Sequence, residues 1–213
     1  MKLLKTVVAA AALVLGAAPA LAQEVVLKIH HFLPPQSTTH AQVFVPWCDK
    51  IGKESGGKIK CQIYPSMQLG GSPPQLFDQA RDGVVDIVWT LPTYQSGRFV
   101  KSEVFELPFM ARNAETGSPA FWDYVQKNSL DEFKGVKVLA LHVHDGSLLH
   151  FKDKRVASLE DVKGLKVRAP GRIGTKFLSS IGAAPVQMPV PQVTESLSKG
   201  VIDGAMVPWE VAP

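Results

Sequence analysis

The sequence predicts an α/β fold, and three observations carry that prediction. Short runs rich in β-branched residues alternate with segments whose apolar residues recur at helical spacing. Gly and Pro punctuate most junctions between them. The run V-V-D-I-V-W at 84–89 is apolar except for Asp86, a pattern that suits a parallel strand buried on both faces. The chain has 213 residues, 46% of them hydrophobic and 20% charged, enough for one large domain or two small lobes. That composition is too apolar for intrinsic disorder. The formal net charge is +4, but Lys and Arg are interspersed with Asp and Glu instead of forming a basic stripe, which argues against a nucleic-acid partner.

Taken in order, residues 1–22 read as an export signal. Lys2 and Lys5 precede an apolar run from Thr6 to Leu15, and Ala20-Leu21-Ala22 offers a cleavage pattern that places the mature start near Gln23. The run is short for a bilayer span, and no later segment is long and apolar enough to be one. The mature chain is therefore expected to be exported and soluble, without a membrane span of its own; the periplasm is the compartment expected for it. V-V-L-K-I-H at 25–30 reads as a strand, and Pro34-Pro35 as a loop. A helix is expected over 40–55, with Val43, Phe44, Trp47 and Ile51 on one face and Gly56-Gly57 as its stop. Residues 58–64 alternate as a second strand. A helix follows Pro73-Pro74, a third strand runs over 84–89, and 90–97 is a loop. Residues 105–110 connect to a helix at 120–128, and V-K-V-L-A-L-H-V-H at 136–144 reads as a strong strand.

A second unit is expected to begin after Asp145-Gly146. Ser158 caps a short helical turn, and 165–168 is a strand ended by Ala169-Pro170-Gly171. Helices at 175–181 and 191–199 then flank an extended segment at 184–188, and a strand runs over 202–206. The chain stops at Pro213 in an apparent loop, the expectation being a truncated protein.

Cys48 and Cys61 form an even pair in an exported chain, which favours a disulfide around Gly56-Gly57; two buried thiols are the alternative. Such a link would stabilise by roughly 3 kcal/mol on the chain-entropy view. No phosphate-binding loop, dinucleotide fingerprint, nucleophile elbow or zinc-protease helix is present, so neither a catalytic signature nor a cofactor is indicated. His142 and His144 share one face of the expected 136–144 strand and could hold zinc with a third ligand, or simply lie at its edge. Arg168 ends K-V-R, where ligands of open α/β sheets bind and where a guanidinium can clamp a carboxylate; a surface salt bridge is the plainer alternative. Trp89 and Trp209 stand at two further strand exits, as core or as ligand contacts.

Several segments then resemble one family. They are K-E-S-G-G-K-I-K-C-Q-I-Y-P-S-M-Q-L-G-G, L-F-D-Q-A-R-D-G-V-V-D-I-V, V-F-E-L-P-F-M, S-L-E-D-V-K-G-L-K-V-R-A-P-G, G-A-A-P-V-Q-M-P and L-S-K-G-V-I-D-G-A. Together they are similar to the DctP-like solute-binding proteins of tripartite ATP-independent periplasmic (TRAP) transporters, over nearly everything from Leu27 to Pro208. The resemblance implies a two-lobed periplasmic-binding-protein fold of type II-like form. The lobes would occupy 23–145 and 146–213, and the family's C-terminal hinge strands and long helix would be missing from this chain. It implies a receptor, not an enzyme, that binds a small organic acid between the lobes and passes it to the small and large subunits of a membrane permease. A receptor feeding a sensor kinase is the alternative.

The family's carboxylate-binding arginine falls on Arg168. Its ligand loops fall on Phe32, on Trp89, Thr90 and Leu91, near Leu148, on Gly171 and Arg172, on Val190, and on Val207 and Trp209. Sialic-acid-type members carry a second arginine near Leu148 and an asparagine near Val207, and this chain has apolar residues at both. The implied cavity is apolar and partly aromatic around one arginine. It suits a monocarboxylate with an apolar or aromatic tail better than a polyhydroxylated sugar acid. Residues 23–213 alone are expected to be poorly soluble or unstable.

Overall fold

The computed structural model describes residues 24–211; the expected signal peptide and its cleavage point lie outside the described residues. Two sheets organise the chain. In the first, β1 (Val25–His31) lies between β2 (Ile59–Tyr64) and β3 (Ile87–Trp89), all parallel. In the second, the spatial order is β4 (Leu148–Phe151), β7 (Gly204–Val207), β5 (Lys166–Ala169) and β6 (Ala184–Gln187). There β7, β5 and β6 are parallel and only the edge strand β4 is antiparallel.

Parallel neighbours need crossovers, and these supply the helices. They are α1 (Val45–Glu54), α2 (Leu76–Arg81), α3 (Ala114–Tyr124), α4 (Leu159–Val162), α5 (Arg172–Ser180) and α6 (Val193–Ser198). Local chemistry sets several of their starts. Ser72 and Gln75 form a capping box ahead of α2, Ser158 and Asp161 form another at α4, and the Asn113 side chain accepts from Thr116 N at 2.9 Å to begin α3.

The structure departs from the sequence reading in five places. The strand expected at 84–89, buried on both faces, is confined to Ile87–Trp89 and half-buried, because it lies at the edge of its sheet among the described residues, and Val84 is 57% exposed. The helix expected at 40–55 opens with a π-helical turn, Thr39–Phe44, before α1. Pro46 explains it: proline has no N–H, and its ring crowds the carbonyl four residues back, so the ladder widens just before it. The helix expected at 120–128 starts earlier, at Ala114, because the Asn113 cap prevails over Pro119 inside it. Leu148–Phe151 is a strand that was not anticipated.

Most consequentially, residues 136–144 form no strand. They run alongside the first half without a ladder partner among the described residues. Their apolar side chains instead pack on a cluster of Phe77, Phe99, Phe121, Val125 and Phe133. Alternation records a two-faced segment, but a strand also requires a neighbouring edge to bond.

Cys48 and Cys61 are joined as a disulfide with their Cα atoms 5.7 Å apart, tying α1 to β2. Among the described residues no helix is long and apolar enough to cross a membrane.

Candidate ligand-binding cleft

Arg168 lies on β5, a central strand, and its Cα pairs with Val186 of β6 and Ala205 of β7. Its side chain reaches past those partners. Nε donates to the Met188 carbonyl at 2.8 Å and Nη1 to the Met206 carbonyl at 2.9 Å. Both acceptors lie further along β6 and β7, so the guanidinium stands beyond the carboxyl ends of three parallel strands, where open sheets present ligands.

The residue is 2% exposed and has no carboxylate partner among the described residues. Burial lowers its proton affinity, and the Tyr94 hydroxyl opposes that effect. A guanidinium nevertheless stays charged. It is a buried cation held in place by two carbonyls, with N–H groups left over for an anion.

The facing half brings an aromatic wall. Phe32, directly after β1, is 2% exposed and tilts against Trp89 and Tyr94, with ring centroids 5.1 and 5.5 Å away. Trp89 ends β3; its Nε1 donates to His142 Nε2 at 2.9 Å, and the two rings lie nearly parallel, 13° apart. Leu91 and Val190 pack in the same cluster. Tyr94 closes the gap between the halves. Its hydroxyl accepts from Val190 N at 3.0 Å and from Arg168 Nη2 at 3.4 Å.

The remaining candidates are dispersed. Thr90 Oγ1 is turned to the Pro73 carbonyl at 3.4 Å. Gly171 begins α5 against Thr93; a Cβ there would stand 1.8 Å from Thr93 Oγ1, so only glycine permits this approach. Arg172 is ion-paired with the buried Glu103 of the opposite half instead of standing free. Val207 is buried and pairs with the half-exposed Leu148 across the β4–β7 ladder. Trp209 is 72% exposed, edge-on to His150. The structure therefore gathers Arg168, Phe32, Trp89, Leu91 and Val190, and leaves Leu148 and Trp209 more open.

Sequence reasoning missed Tyr94, a lone aromatic in the Pro92-Thr93-Tyr94 turn. The available signal was position: it follows a β3 exit already singled out. His142, the alternative zinc ligand with His144, has its Nε2 engaged by Trp89, and no group of three potential metal ligands gathers among the described residues. Two surface grooves of about 460 and 450 Å³, one beside the disulfide and one along Trp122 and Leu139, lie away from Arg168. Neither includes a buried charge, so chemistry favours the Arg168 cleft.

Comparison with known proteins places these features in context. The profile of the DctP family, described as bacterial extracellular solute-binding protein, family 7, matches residues 29–213. The chain is similar to a TRAP solute-binding protein of Rhodoferax ferrireducens solved with copurified benzoate. The two are 56% identical with a TM-score of 0.85, over 87% of this chain and 58% of that one. A marine-metagenome TRAP solute-binding protein specific for aromatic acid ligands, solved with 3-hydroxybenzoate, is 52% identical, with a TM-score of 0.86 over 89% and 59%. One from Bordetella bronchiseptica, with bound (R)- and (S)-mandelate, is 33% identical, with a TM-score of 0.80 over 86% and 58%. The chain also spans about half the length of curated relatives it matches.

Proposed function

The chain belongs to the DctP family of bacterial extracellular solute-binding proteins, and on that premise we propose that it captures one small aromatic monocarboxylate between two lobes for delivery to a TRAP-type membrane permease. The lobes divide between Asp145 and Gly146. The observation that carries the reading is Arg168, the one buried arginine or lysine among the described residues, without a carboxylate beside it. A buried cation of this kind is stabilised when a carboxylate arrives, each charge-assisted bond contributing roughly 1.5–3 kcal/mol. Arg172 is neutralised by Glu103, so the cleft offers one positive charge, which suits a monocarboxylate over a dicarboxylate.

Phe32, Trp89, Leu91 and Tyr94 supply apolar and aromatic surface for the rest of the ligand. The ligands of the three similar proteins, benzoate, 3-hydroxybenzoate and mandelate, share that combination of one carboxylate and one aromatic ring. The work is binding, not bond-making. Closure over the acid excludes water, strengthens the ion pair and presents a closed surface to the permease in the periplasm.

The test is calorimetry on the full chain with benzoate, 3-hydroxybenzoate, mandelate, a dicarboxylate and a uronate. The aromatic monocarboxylates are expected to bind, and Arg168→Ala to weaken them by about a hundredfold or more, the loss of two charge-assisted bonds. Tight uronate binding with no response to the aromatic acids would overturn the ligand class. Unchanged affinity in Arg168→Ala would overturn the clamp.

A further inference from the structure

Tyr94 is a group beside Arg168 whose hydrogen-bonding capacity the fold leaves incompletely used. It sits on the short helical turn after β3, is 7% exposed, and reaches across to the second half. Its oxygen accepts from Val190 N at 3.0 Å and from Arg168 Nη2 at 3.4 Å. Both contacts use its lone pairs. Its own proton meets no acceptor among the described residues, although a buried hydroxyl ordinarily finds one.

Arg168 is in a matching position. Nε and one Nη1 hydrogen are fixed on carbonyls, while the contact from Nη2 to Tyr94 is long for a charge-assisted bond. The hydrogens without strong partners are thus the second one of Nη1, the two of Nη2 and the phenolic one.

We propose that Tyr94 is the second carboxylate donor of the cleft and the residue that couples ligand capture to closure. This rests on the reading of Arg168 as the carboxylate clamp. Its hydroxyl donates to one oxygen of the acid while it accepts from Val190 N of the opposite half, so one oxygen atom joins first half, second half and ligand. The bond to Val190 exists only when the halves are together. A ligand that orients the Tyr94 proton toward itself also directs the oxygen lone pairs at Val190 and Arg168, and each bond polarises the next.

The consequence is kinetic. Loss of the hydroxyl should accelerate ligand escape more than it slows entry, because entry occurs before the Val190 bond forms.

The experiment uses the full chain and benzoate. Tyr94→Phe keeps the ring against Phe32 and removes only the hydroxyl, so it should raise Kd by about tenfold or more, mostly through faster dissociation. It should also abolish the benzoate-dependent protection of the Val190 amide from hydrogen exchange, a readout that general loosening would not confine to one site. Val190→Pro removes the same bond from the other side and leaves the Tyr94 hydroxyl in place. Proline is tolerated at the first position of a helical turn, and Pro189 before it is already extended, with ψ of 154°. It should speed dissociation to a smaller degree, and the double variant should be less than additive. If Tyr94→Phe fails to fold, Val190→Pro alone decides.

Tyr94→Phe within about twofold of wild-type affinity, beside an Arg168→Ala variant that no longer binds, would overturn the Tyr94 assignment and leave the clamp standing. Wild-type protein that binds none of the aromatic monocarboxylates would overturn the clamp and this inference together.

Discussion

At the scale of single residues, buried polar groups without full partners mark what matters. His31 closes β1, is fully buried, stacks on Phe44 and places Nε2 2.9 Å from His40 Nδ1. Its Nδ1 has no hydrogen-bond partner among the described residues. Burial, with His40 and then His30 adding repulsion, lowers its pKa from 6.5 to about 4. Between those values an unfolded chain takes up a proton that the folded chain refuses. The stability present above pH 6.5 should therefore fall as pH drops toward 4, by roughly 1 kcal/mol per unit. Melting curves across that window should show wild type losing more than His31→Phe; identical pH dependence would refute the assignment. The placement of Arg168 at a strand exit was legible in the sequence, since it ends K-V-R before Ala-Pro-Gly, whereas its reading as a carboxylate contact came from the family resemblance and not from that position. Tyr94 and the Trp89–His142 pair were not legible, because their meaning is a contact between segments that spacing cannot reveal.

At the scale of elements, most strands and helices could be read from periodicity and turn residues, and the misreadings at 136–144 and 148–151 share one cause. The best alternating run, 136–144, has no partner edge among the described residues, whereas the four-residue β4 forms because β7 offers it one through the Leu148–Val207 register. Pairing belongs to the assembled sheet. The start of α5 makes a second point about context. Gly171 is extended, with φ of −163°, so its backbone would accept any residue; the facing Thr93 side chain is what excludes a Cβ. Gly171→Ala should therefore leave helix formation intact and obstruct closure. Overpacking of this kind costs about 1–3 kcal/mol, so benzoate affinity should fall by about five- to a hundredfold. The melting temperature of the ligand-free chain should move little, since open halves avoid the clash. A large loss of ligand-free stability with unchanged affinity would show that the contact is a fixed part of the fold.

At the scale of the whole molecule, two halves built on separate sheets meet through few polar contacts among the described residues, and one is the ion pair between Arg172 of α5 and Glu103 of the Ser102–Glu106 turn. The partners are unequal: Glu103 is 4% exposed while the Arg172 side chain is 42% exposed. Removing Arg172 would strand a carboxylate away from water in the closed form, and an uncompensated buried charge is costly. In an open form the same carboxylate regains its hydration. The penalty therefore falls on one side of the opening equilibrium, and a ligand that needs the closed form must overcome it. Arg172→Ala should weaken benzoate by about tenfold, with faster dissociation and a smaller ligand-induced gain in melting temperature. Adding Glu103→Gln removes the stranded charge, so the double variant should recover part of the loss, which a direct contact between Arg172 and the ligand would not allow. Calorimetry on the four proteins of this cycle distinguishes the two, because only a closure pair makes the second substitution restorative.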